Sequence, residues 1–435
     1  MRGFKQLGWV AVAALTVATL PQGTLAADAS LEERVRALEK KVAREQKEEA
    51  AGQKTVIQRI EVIEKEVKDT EKSIGDKLGV EFHGFVAANY NYNLNSPDSH
   101  NNRIHVFDET ANSIELDQAN INVQRNKPEG LGFNLDLDFG KTAEVVGRTT
   151  QWRSNSNSDK FGLAGANSSV ELRQAYLKYA FADSGFSLMA GKFVTFHGAE
   201  VIKAYNNFNY NISNSILFGF AIPFTHTGVI GTYAFGDLGS IAAGVVNGWD
   251  NVSDNNDGKS LTSMLTLTPS PMFTFNLATT YGPEENNNGR SKRLLITPLI
   301  TVKPTDQLTL ILDYNYGNES NTAPGLPTVM WQGMAGYVIV AVTDAVQLSL
   351  RGEVFDDPDG FRTGFTEPGR GPGATFWEVT PTVAYKITDG LTWRAECRHD
   401  ESDKRFFDKD NRDVSHGGRG QRGQDLVATE LIYAF

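Results

Sequence analysis

The sequence predicts an all-β fold, a 16-stranded antiparallel transmembrane β-barrel preceded by an N-terminal α-helical coiled coil. Three observations support this prediction. From Val80 onward, apolar and polar residues alternate over runs of about 10 to 15 residues. Short turns and long polar loops alternate as the connections between these runs. The sequence ends on an aromatic residue, Phe435. Tilted strands of about 10 residues cross a bilayer, whereas strands of soluble sheets usually have about five or six.

The composition excludes several other classes of protein. The chain has 435 residues, of which 53 are acidic and 42 basic, a formal net charge of −11, and one Cys. A mean hydropathy of −0.34 argues against a bundle of transmembrane helices, each of which needs about 20 apolar residues. The acidic balance argues against nucleic acid as a partner, because phosphate binding requires clustered Lys and Arg. One Cys excludes an internal disulfide framework and a Cys-based zinc site, and we expect no cofactor.

Residues 1–26 have the pattern of a secretory signal peptide. Arg2 and Lys5 precede an apolar stretch from Leu7 to Leu20, and small residues then lead to a cleavage site after Ala26. We therefore expect the mature chain to be secreted.

Residues 27–79 are predicted to form a periplasmic coiled-coil stalk. Apolar residues recur at spacings of four and three within an otherwise charged segment, which is the pattern of a heptad seam. The predicted oligomerisation seam consists of Val56, Ile60, Ile63, Val67 and Ile74. Ile or Val at both seam positions favours three or more helices, so we expect a homotrimer. A lone charged helix or a disordered linker remains the alternative.

The barrel is predicted to occupy residues 80–435, because at Val80 the period of the apolar pattern changes from about 3.5 residues to two. The number of strands is even, as this class of barrel requires. The predicted strands are 81–94, 113–126, 131–142, 169–181, 185–195, 224–235, 240–249, 259–268, 272–282, 291–303, 307–317, 328–342, 346–356, 373–387, 391–400 and 422–435.

The turns predict how the barrel lies in the membrane. Short turns at one end and long polar loops at the other are typical of bacterial outer-membrane barrels, in which the short turns are periplasmic. Both termini are then periplasmic. The long loops are predicted at 95–112, 143–168, 250–258, 318–326, 357–372 and 402–421, besides the loop at 197–223. Phe435 closes an alternating strand, as in strands that the outer-membrane assembly machinery recognises.

Strand alternation also predicts which side chains line the pore, because the face opposite the apolar residues must point inward. Sixteen strands leave an aqueous lumen, in which charged groups are tolerated. The predicted pore-lining residues are Asp136, Asp138, Lys178, His226, Asp313, Arg351, Glu353, Glu378, Lys386, Arg394, Glu396 and Arg398. These groups either pair along the wall and hydrate it, or create a transverse field that selects permeants by charge.

The loop at residues 197–223 is unusually apolar, so we expect it to be packed rather than exposed to water. Folded into the barrel, it would narrow the pore. Glu200 and Lys203 are its only charged residues and, with Tyr205, are the candidates to face this constriction. Alternatively, the loop covers the barrel mouth or packs at a subunit interface.

Several short segments resemble a known family. They are VEFHGFVAANY at 80–90, GKFVTFHGAE at 191–200, PFTHTG at 223–228 and VNGWD at 246–250. Together they are similar to β-barrel porins of the OmpL-like family. The resemblance implies an outer-membrane channel without an enzymatic site, and it supplies no ligand residues. The long stalk departs from the simplest pattern of that family and makes the architecture similar to trimeric porins with an N-terminal periplasmic coiled coil.

The sequence thus predicts an outer-membrane porin that passes small hydrophilic solutes by passive diffusion. Its expected partners are the lipid bilayer with its lipopolysaccharide, two further copies of the chain, the assembly machinery and the permeating solutes. A structural tether that reaches the cell wall through the stalk is the alternative, although no wall-binding module precedes the stalk. An enzyme is a third hypothesis, and the sequence carries no G-x-S-x-G or H-E-x-x-H motif for it.

Overall fold

The computed structural model describes residues 36–37, 39–41, 43–44, 65, 79–149, 169–320, 328–367, 371–410 and 420–435. The described residues before 79 are all helical. The predicted signal peptide at 1–26 and the oligomerisation seam lie outside the described residues. No helix in the described ranges is long and apolar enough to cross a membrane. The strands belong to a compact unit that spans Gly75–Phe435.

Among the described residues, sixteen strands form one closed antiparallel barrel, in which each strand pairs with the neighbouring barrel strands along the chain and the first strand pairs with the last. Two further strands of two residues each form a small hairpin within one of the long loops. The strands are β1 (Glu81–Asn93), β2 (Ser113–Arg125), β3 (Gly130–Phe139), β4 (Val170–Ala180), β5 (Phe186–Val194), β6 (Thr225–Ala234), β7 (Gly239–Val246), β8 (Ser260–Ser270), β9 (Phe273–Gly282), β10 (Arg293–Thr305), β11 (Leu308–Glu319), β12 (Val329–Ala341), β13 (Val346–Asp357), β14 (Thr366–Glu367), β15 (Gly371–Pro372), β16 (Ala374–Lys386), β17 (Leu391–Ser402) and β18 (Gly423–Ala434).

The pleat explains why these segments form a barrel wall. Successive side chains of a strand point to opposite faces, so an alternating sequence gives one apolar and one polar surface. On β13, Leu348, Leu350 and Val354 are exposed on the outer face, whereas Arg351 and Glu353 are buried on the inner face. The outer surface therefore suits lipid, and the ionisable side chains of this strand lie inside the barrel.

The first and last strands of the barrel, β1 and β18, pair with each other and close it. Strand β1 pairs with β18 from Phe85 opposite Ala434 to Asn93 opposite Leu426. Beyond this register, the backbones of Gly84 and Phe435 exchange two hydrogen bonds of 3.1 and 2.9 Å. A Cβ on Gly84 would lie 2.6 Å from the Phe435 ring, so the glycine makes room for the terminal aromatic side chain.

The predicted 16-stranded antiparallel barrel is confirmed, and its strands lie close to their predicted positions. Two expectations were wrong. The third strand was expected to reach residue 142, but it ends at Phe139 because Gly140 adopts a φ of +98° and helix α1 (Lys141–Thr149) follows. The seventh strand was expected to reach residue 249 but ends at Val246, where the external loop begins.

The largest apolar core lies inside the barrel, near the ends of strands that the long loops join. Its members come from the external loops, from α1 and from the inner wall. They include Ile104, Phe107, Val145, Val146, Ile216, Leu217, Phe218, Phe224, Trp331, Phe355, Phe376 and Phe407. Loops and wall are thus packed as one interior.

Candidate functional site: the barrel lumen and its inner loop

Residues 197–223, which join β5 to β6, fold into the barrel, and we call them the inner loop. Their polar groups bond to inner-wall residues on strands around most of the circumference. The apolar side chains of Ile216 and Leu217 join the interior core with Trp331. The indole nitrogen of Trp331 also donates to the carbonyl of Ala221 at 3.0 Å. The loop therefore occupies the lumen rather than covering the barrel mouth.

The first residues of the inner loop are anchored on β9 to β11. The two ring nitrogens of His197 lie 2.8 Å from the hydroxyls of Thr280 and Thr297. Two residues later, the backbone N–H of Ala199 donates to the carboxylate of Asp313 at 2.8 Å. The chain thus crosses from β5 to the opposite wall within a few residues.

The only two charged residues of the inner loop are buried in ion pairs with the wall. Glu200 accepts from Nη1 of Arg351 at 2.8 Å and from the hydroxyl of Tyr337 at 3.1 Å. Lys203 Nζ contacts the carboxylates of Asp117 and Glu430. The sequence predicts that Glu200 and Lys203 face a constriction of the pore, and this role stays a prediction. In the structure both charges form ion pairs with wall residues.

Two β-bulges supply wall residues that strand parity missed. A register shift between Ala87 and Ala88 leaves Asp117 as an extra residue of β2, and a second shift does the same for Arg173 of β4. A bulge turns the extra side chain away from strict alternation. Arg173 consequently lies inside, 3.0 Å from Asp136 and 3.6 Å from Asp138. Simple parity would have placed this arginine on the lipid-facing side.

The middle of the inner loop lies against β1 and β17. Tyr205 stacks on His83 with a centroid distance of 4.0 Å, and Phe208 meets Phe85 edge-on at 5.0 Å. Arg394 donates from Nη1 to three loop carbonyls, those of Phe208, Asn209 and Asn211, at 3.1 Å each. One guanidinium group thereby holds a whole turn of loop backbone.

Two wall carboxylates bind the backbone N–H groups of the next turn. Glu396 accepts from the N–H of Ile212 at 2.6 Å and from the N–H of Ser213 at 3.0 Å. Glu353 accepts from the N–H groups at the start of a π-helical turn, Leu217–Ala221, including that of Leu217 at 3.1 Å. The carboxylates therefore replace the partners that an irregular buried backbone would otherwise lack.

The remaining predicted pore-lining residues fall into three groups. Arg398 lies 2.7 Å from Asp400 and donates to the carbonyl of Asn214, and Glu378 lies 2.7 Å from Arg351, so these residues belong to the loop-binding network. The second group is on the inner wall, where His226 is fully buried and bonds to the carbonyl of Gly248. The third group lies at strand ends that short turns join and comprises Lys178, which is half-buried, and Lys386, which is exposed and paired with Asp389.

The first external loop also enters the barrel, which the sequence did not lead us to expect. His105 is buried, with Asp108 at 2.7 Å from one ring nitrogen and Asp400 at 3.0 Å from the other. Burial lowers the pKa of His105, but the two carboxylates outweigh burial and raise the pKa above its ordinary value of 6.5. In the sequence, the apolar residues Ile104 and Phe107 within an otherwise polar segment are the feature that could have indicated a packed loop.

The end of the inner loop is fixed by Asp250, which follows β7. Its Oδ1 accepts from the backbone N–H groups of Phe224 and Thr225 at 2.7 and 2.9 Å. Burial raises the pKa of Asp250 to about 6, and the two N–H donors counteract this rise. Among the described residues, no group of three or more His, Cys, Asp or Glu side chains is arranged to hold a metal ion.

A closed 16-stranded barrel with an apolar outer face and ionisable groups inside has the architecture of outer-membrane porins. The chain belongs to the family described as "Putative beta-barrel porin-2, OmpL-like", whose model matches residues 79–435. Family and fold are those of a channel rather than an enzyme and place the barrel in the outer membrane. The prediction of a porin from the sequence is confirmed.

Solved porin structures share the fold at low sequence identity. The anion-selective porin of Comamonas acidovorans is 9% identical, with a TM-score of 0.54 over 82% of this chain and 99% of that one. OprB of Pseudomonas putida is 11% identical, with a TM-score of 0.52 over 82% and 94% of the two chains. OmpF of Salmonella typhi, solved with daunomycin, is 12% identical, with a TM-score of 0.51 over 82% and 97%. No curated protein matches the sequence.

Proposed function

We propose that this porin is a passive diffusion channel for small hydrophilic solutes and that the inner loop sets its bore. The observation that carries the proposal is the position of residues 197–223 against the inner wall. Charged side chains of the loop and of the wall hold it there. A loop fixed in this way leaves solutes only the space between loop and wall. We therefore expect a narrow channel that discriminates by size.

The pore-lining residues predicted from the sequence acquire a specific role in this proposal. Arg394 binds loop carbonyls, while Glu353 and Glu396 bind loop N–H groups. Arg394 is also paired with Glu430, and a pair of opposite charges contributes little to a long-range field across the lumen. We infer that these groups mainly position the inner loop, and that charge selection arises from groups near the two pore mouths, such as Lys178.

Three further elements complete the proposal. The heptad seam from Val56 to Ile74 assembles three copies of the chain through a periplasmic stalk. Phe435 and the alternating strand before it present the barrel to the outer-membrane assembly machinery. The exposed apolar outer face, for example Leu348 and Leu350, contacts bilayer lipid, with lipopolysaccharide in the outer leaflet.

Swelling of liposomes that contain the purified full-length protein tests the proposal. The swelling rate should fall steeply as the solute grows from a triose to a disaccharide, because the inner loop occupies part of the lumen. Liposomes that swell no faster than protein-free liposomes in every solute would contradict a diffusion channel. Equal rates for all solutes would contradict a bore set by the inner loop.

A further inference from the structure

Two glycines lie opposite each other on the outer face of the barrel. Gly336 of β12 and Gly352 of β13 are register partners. The next partners in the same row are Leu312 of β11, beside Gly336, and Val379 of β16, beside Gly352. Between these two larger side chains the outer wall has a cavity of about 410 Å³, which we call the outer dent.

Nothing in the described part of the chain requires glycine at these two positions. Beyond its chain neighbours, a Cβ on Gly336 would have no heavy atom within 4 Å, and a Cβ on Gly352 would meet only the carbonyl oxygen of Glu378 at 3.8 Å. Neither glycine has a positive φ, and the register of β12 on β13 runs without a bulge. Glycine weakens a strand and often marks a place where a ligand approaches the backbone closely. The reason for the two glycines therefore lies outside the described residues.

The rim of the outer dent is apolar. Its outward-facing side chains are each between 41% and 51% exposed, and none carries an N–H group, an O–H group or a charge. They are Leu312, Met334, Val338, Leu350, Val354 and Val379. The dent is thus continuous with the apolar outer face of the barrel, which faces lipid.

The outer dent lies at the depth of lipid acyl chains. On β13, Gly352 is six residues from Val346, the partner of Tyr385 beside a short turn. In the other direction it is two residues from Val354, the partner of Trp377. Strands tilted by about 40° rise about 2.5 Å per residue, so the dent lies about 15 Å from the level of Tyr385. The apolar band of such barrels is about 25 Å tall, which places the dent within it.

The chemistry of the rim fits a lipid better than a second copy of the chain. Protein interfaces carry about one hydrogen bond per 100–200 Å² and are enriched in aromatic side chains, and the rim supplies neither. The outer face of β17 and β18 differs, because His399 and Asp425 are paired there at 2.8 Å and are each about half exposed. That polar face suits contact with protein, whereas the rim of the dent suits an acyl chain.

We propose that the outer dent is a binding site for one acyl chain of a membrane lipid, which lies across Gly336 and Gly352. Tyr337 and Arg351 form part of the floor of the dent, and their side chains point inward. There they hold Glu200 of the inner loop at 3.1 and 2.8 Å. The bound lipid therefore contacts the wall directly behind an anchor of the inner loop. The site depends on the position of the barrel in the membrane and not on the proposed diffusion function.

Photolabelling in vesicles tests the site. The full-length protein is reconstituted in phosphatidylcholine vesicles in which a small share of the lipid carries a diazirine on one acyl chain, and mass spectrometry maps the residues labelled on illumination. Val338 and Leu350 border the dent, and Val229 and Val245 on β6 and β7 are a reference pair of similar exposure. Each pair consists of register partners. The proposal predicts about threefold more label at the dent, the factor that a few additional carbon–carbon contacts support.

Two variants separate a bound acyl chain from simple exposure to lipid. The double change of Gly336→Leu with Gly352→Leu fills the dent and should lower its labelling to that of the reference pair. Ala88→Leu is the matched control, because it adds a leucine to the outer face of β1, where Ala88 is exposed, and leaves the dent open. It should leave the labelling of Val338 and Leu350 unchanged.

The outcomes distinguish a lipid from the other possible occupants. Equal labelling of the dent and the reference pair in the wild type overturns the proposal, as does an equal loss of label in Ala88→Leu. Labelling of the dent that is weak in oligomers and strong in monomers also overturns it, because a second copy would then cover the dent. The wild-type comparison decides the proposal if the double variant does not fold.

Discussion

Replacing Glu396 with Gln should loosen the inner loop and widen the channel. The carboxylate of Glu396 accepts three hydrogen bonds from the loop, from the N–H of Ile212 at 2.6 Å and from the N–H and hydroxyl of Ser213 at 3.0 and 2.6 Å. Gln keeps one accepting oxygen and presents an amide nitrogen where the other oxygen was. At least one loop N–H then faces a donor instead of an acceptor.

The magnitude follows from the lost bond. A hydrogen bond to a charged group contributes about 1.5–3 kcal/mol, and a buried donor left without a partner costs free energy in addition. We therefore expect the attachment of this turn to weaken by about 3 kcal/mol. That value raises the population of the detached turn about 100-fold.

Single-channel recording and hydrogen exchange measure the two consequences. Glu396→Gln should raise the mean conductance and add current fluctuations, and the amides of Ile212 and Ser213 should exchange faster. Glu171→Gln is the matched control, because Glu171 is also buried but pairs with Lys192 and has no described bond to the inner loop. Unchanged conductance together with unchanged amide exchange in Glu396→Gln would refute the reasoning.

Three other predictions concern the first external loop, barrel closure and assembly. Because the pKa of His105 is raised by its flanking carboxylates, the packing of the first external loop should be strongest below pH 6.5 and weaken as the pH rises through the raised pKa. Amide exchange in that loop measures this effect, and His105→Gln should abolish the pH dependence. Gly84→Ala should lower barrel stability by about 1–3 kcal/mol through overpacking against Phe435, whereas Gly336→Ala, with open space around its Cβ, should be neutral or slightly stabilising in the same thermal unfolding assay. Sedimentation in detergent should show trimers of the full chain, and deletion of 28–78 should make them less stable. Sedimentation of the full-length protein only as monomers would contradict trimer formation through the predicted oligomerisation seam.

The barrel wall was predictable because it follows from local alternation. Strand β16, expected at 373–387, is found at Ala374–Lys386. Its outward residues from Trp377 onward are apolar, and its inward residues include the polar side chains that an aqueous lumen tolerates. Helix α1 was missed because it lies in a long loop and is short. Its apolar residues Val145 and Val146 pack into the barrel interior, but they are too few to give a periodic pattern in the sequence.

The arrangement of the lumen was less predictable, for a physical reason. Parity tells which face of the wall a side chain occupies but not which partner it meets across the barrel. It placed Arg394 and Glu396 inside, yet it could not indicate that they bind the backbone of the inner loop. Bulges break the parity rule itself, which is why Arg173 was missed.

Single-channel conductance of the purified full-length protein in planar bilayers tests the central claim most directly. A barrel whose lumen is narrowed by residues 197–223 should give discrete, uniform steps in potassium chloride, with larger and noisier steps after Glu396→Gln. A protein that inserts into the bilayer without any conductance steps would contradict a diffusion channel. Identical steps from the wild type and from Glu396→Gln would contradict the role assigned to the inner loop.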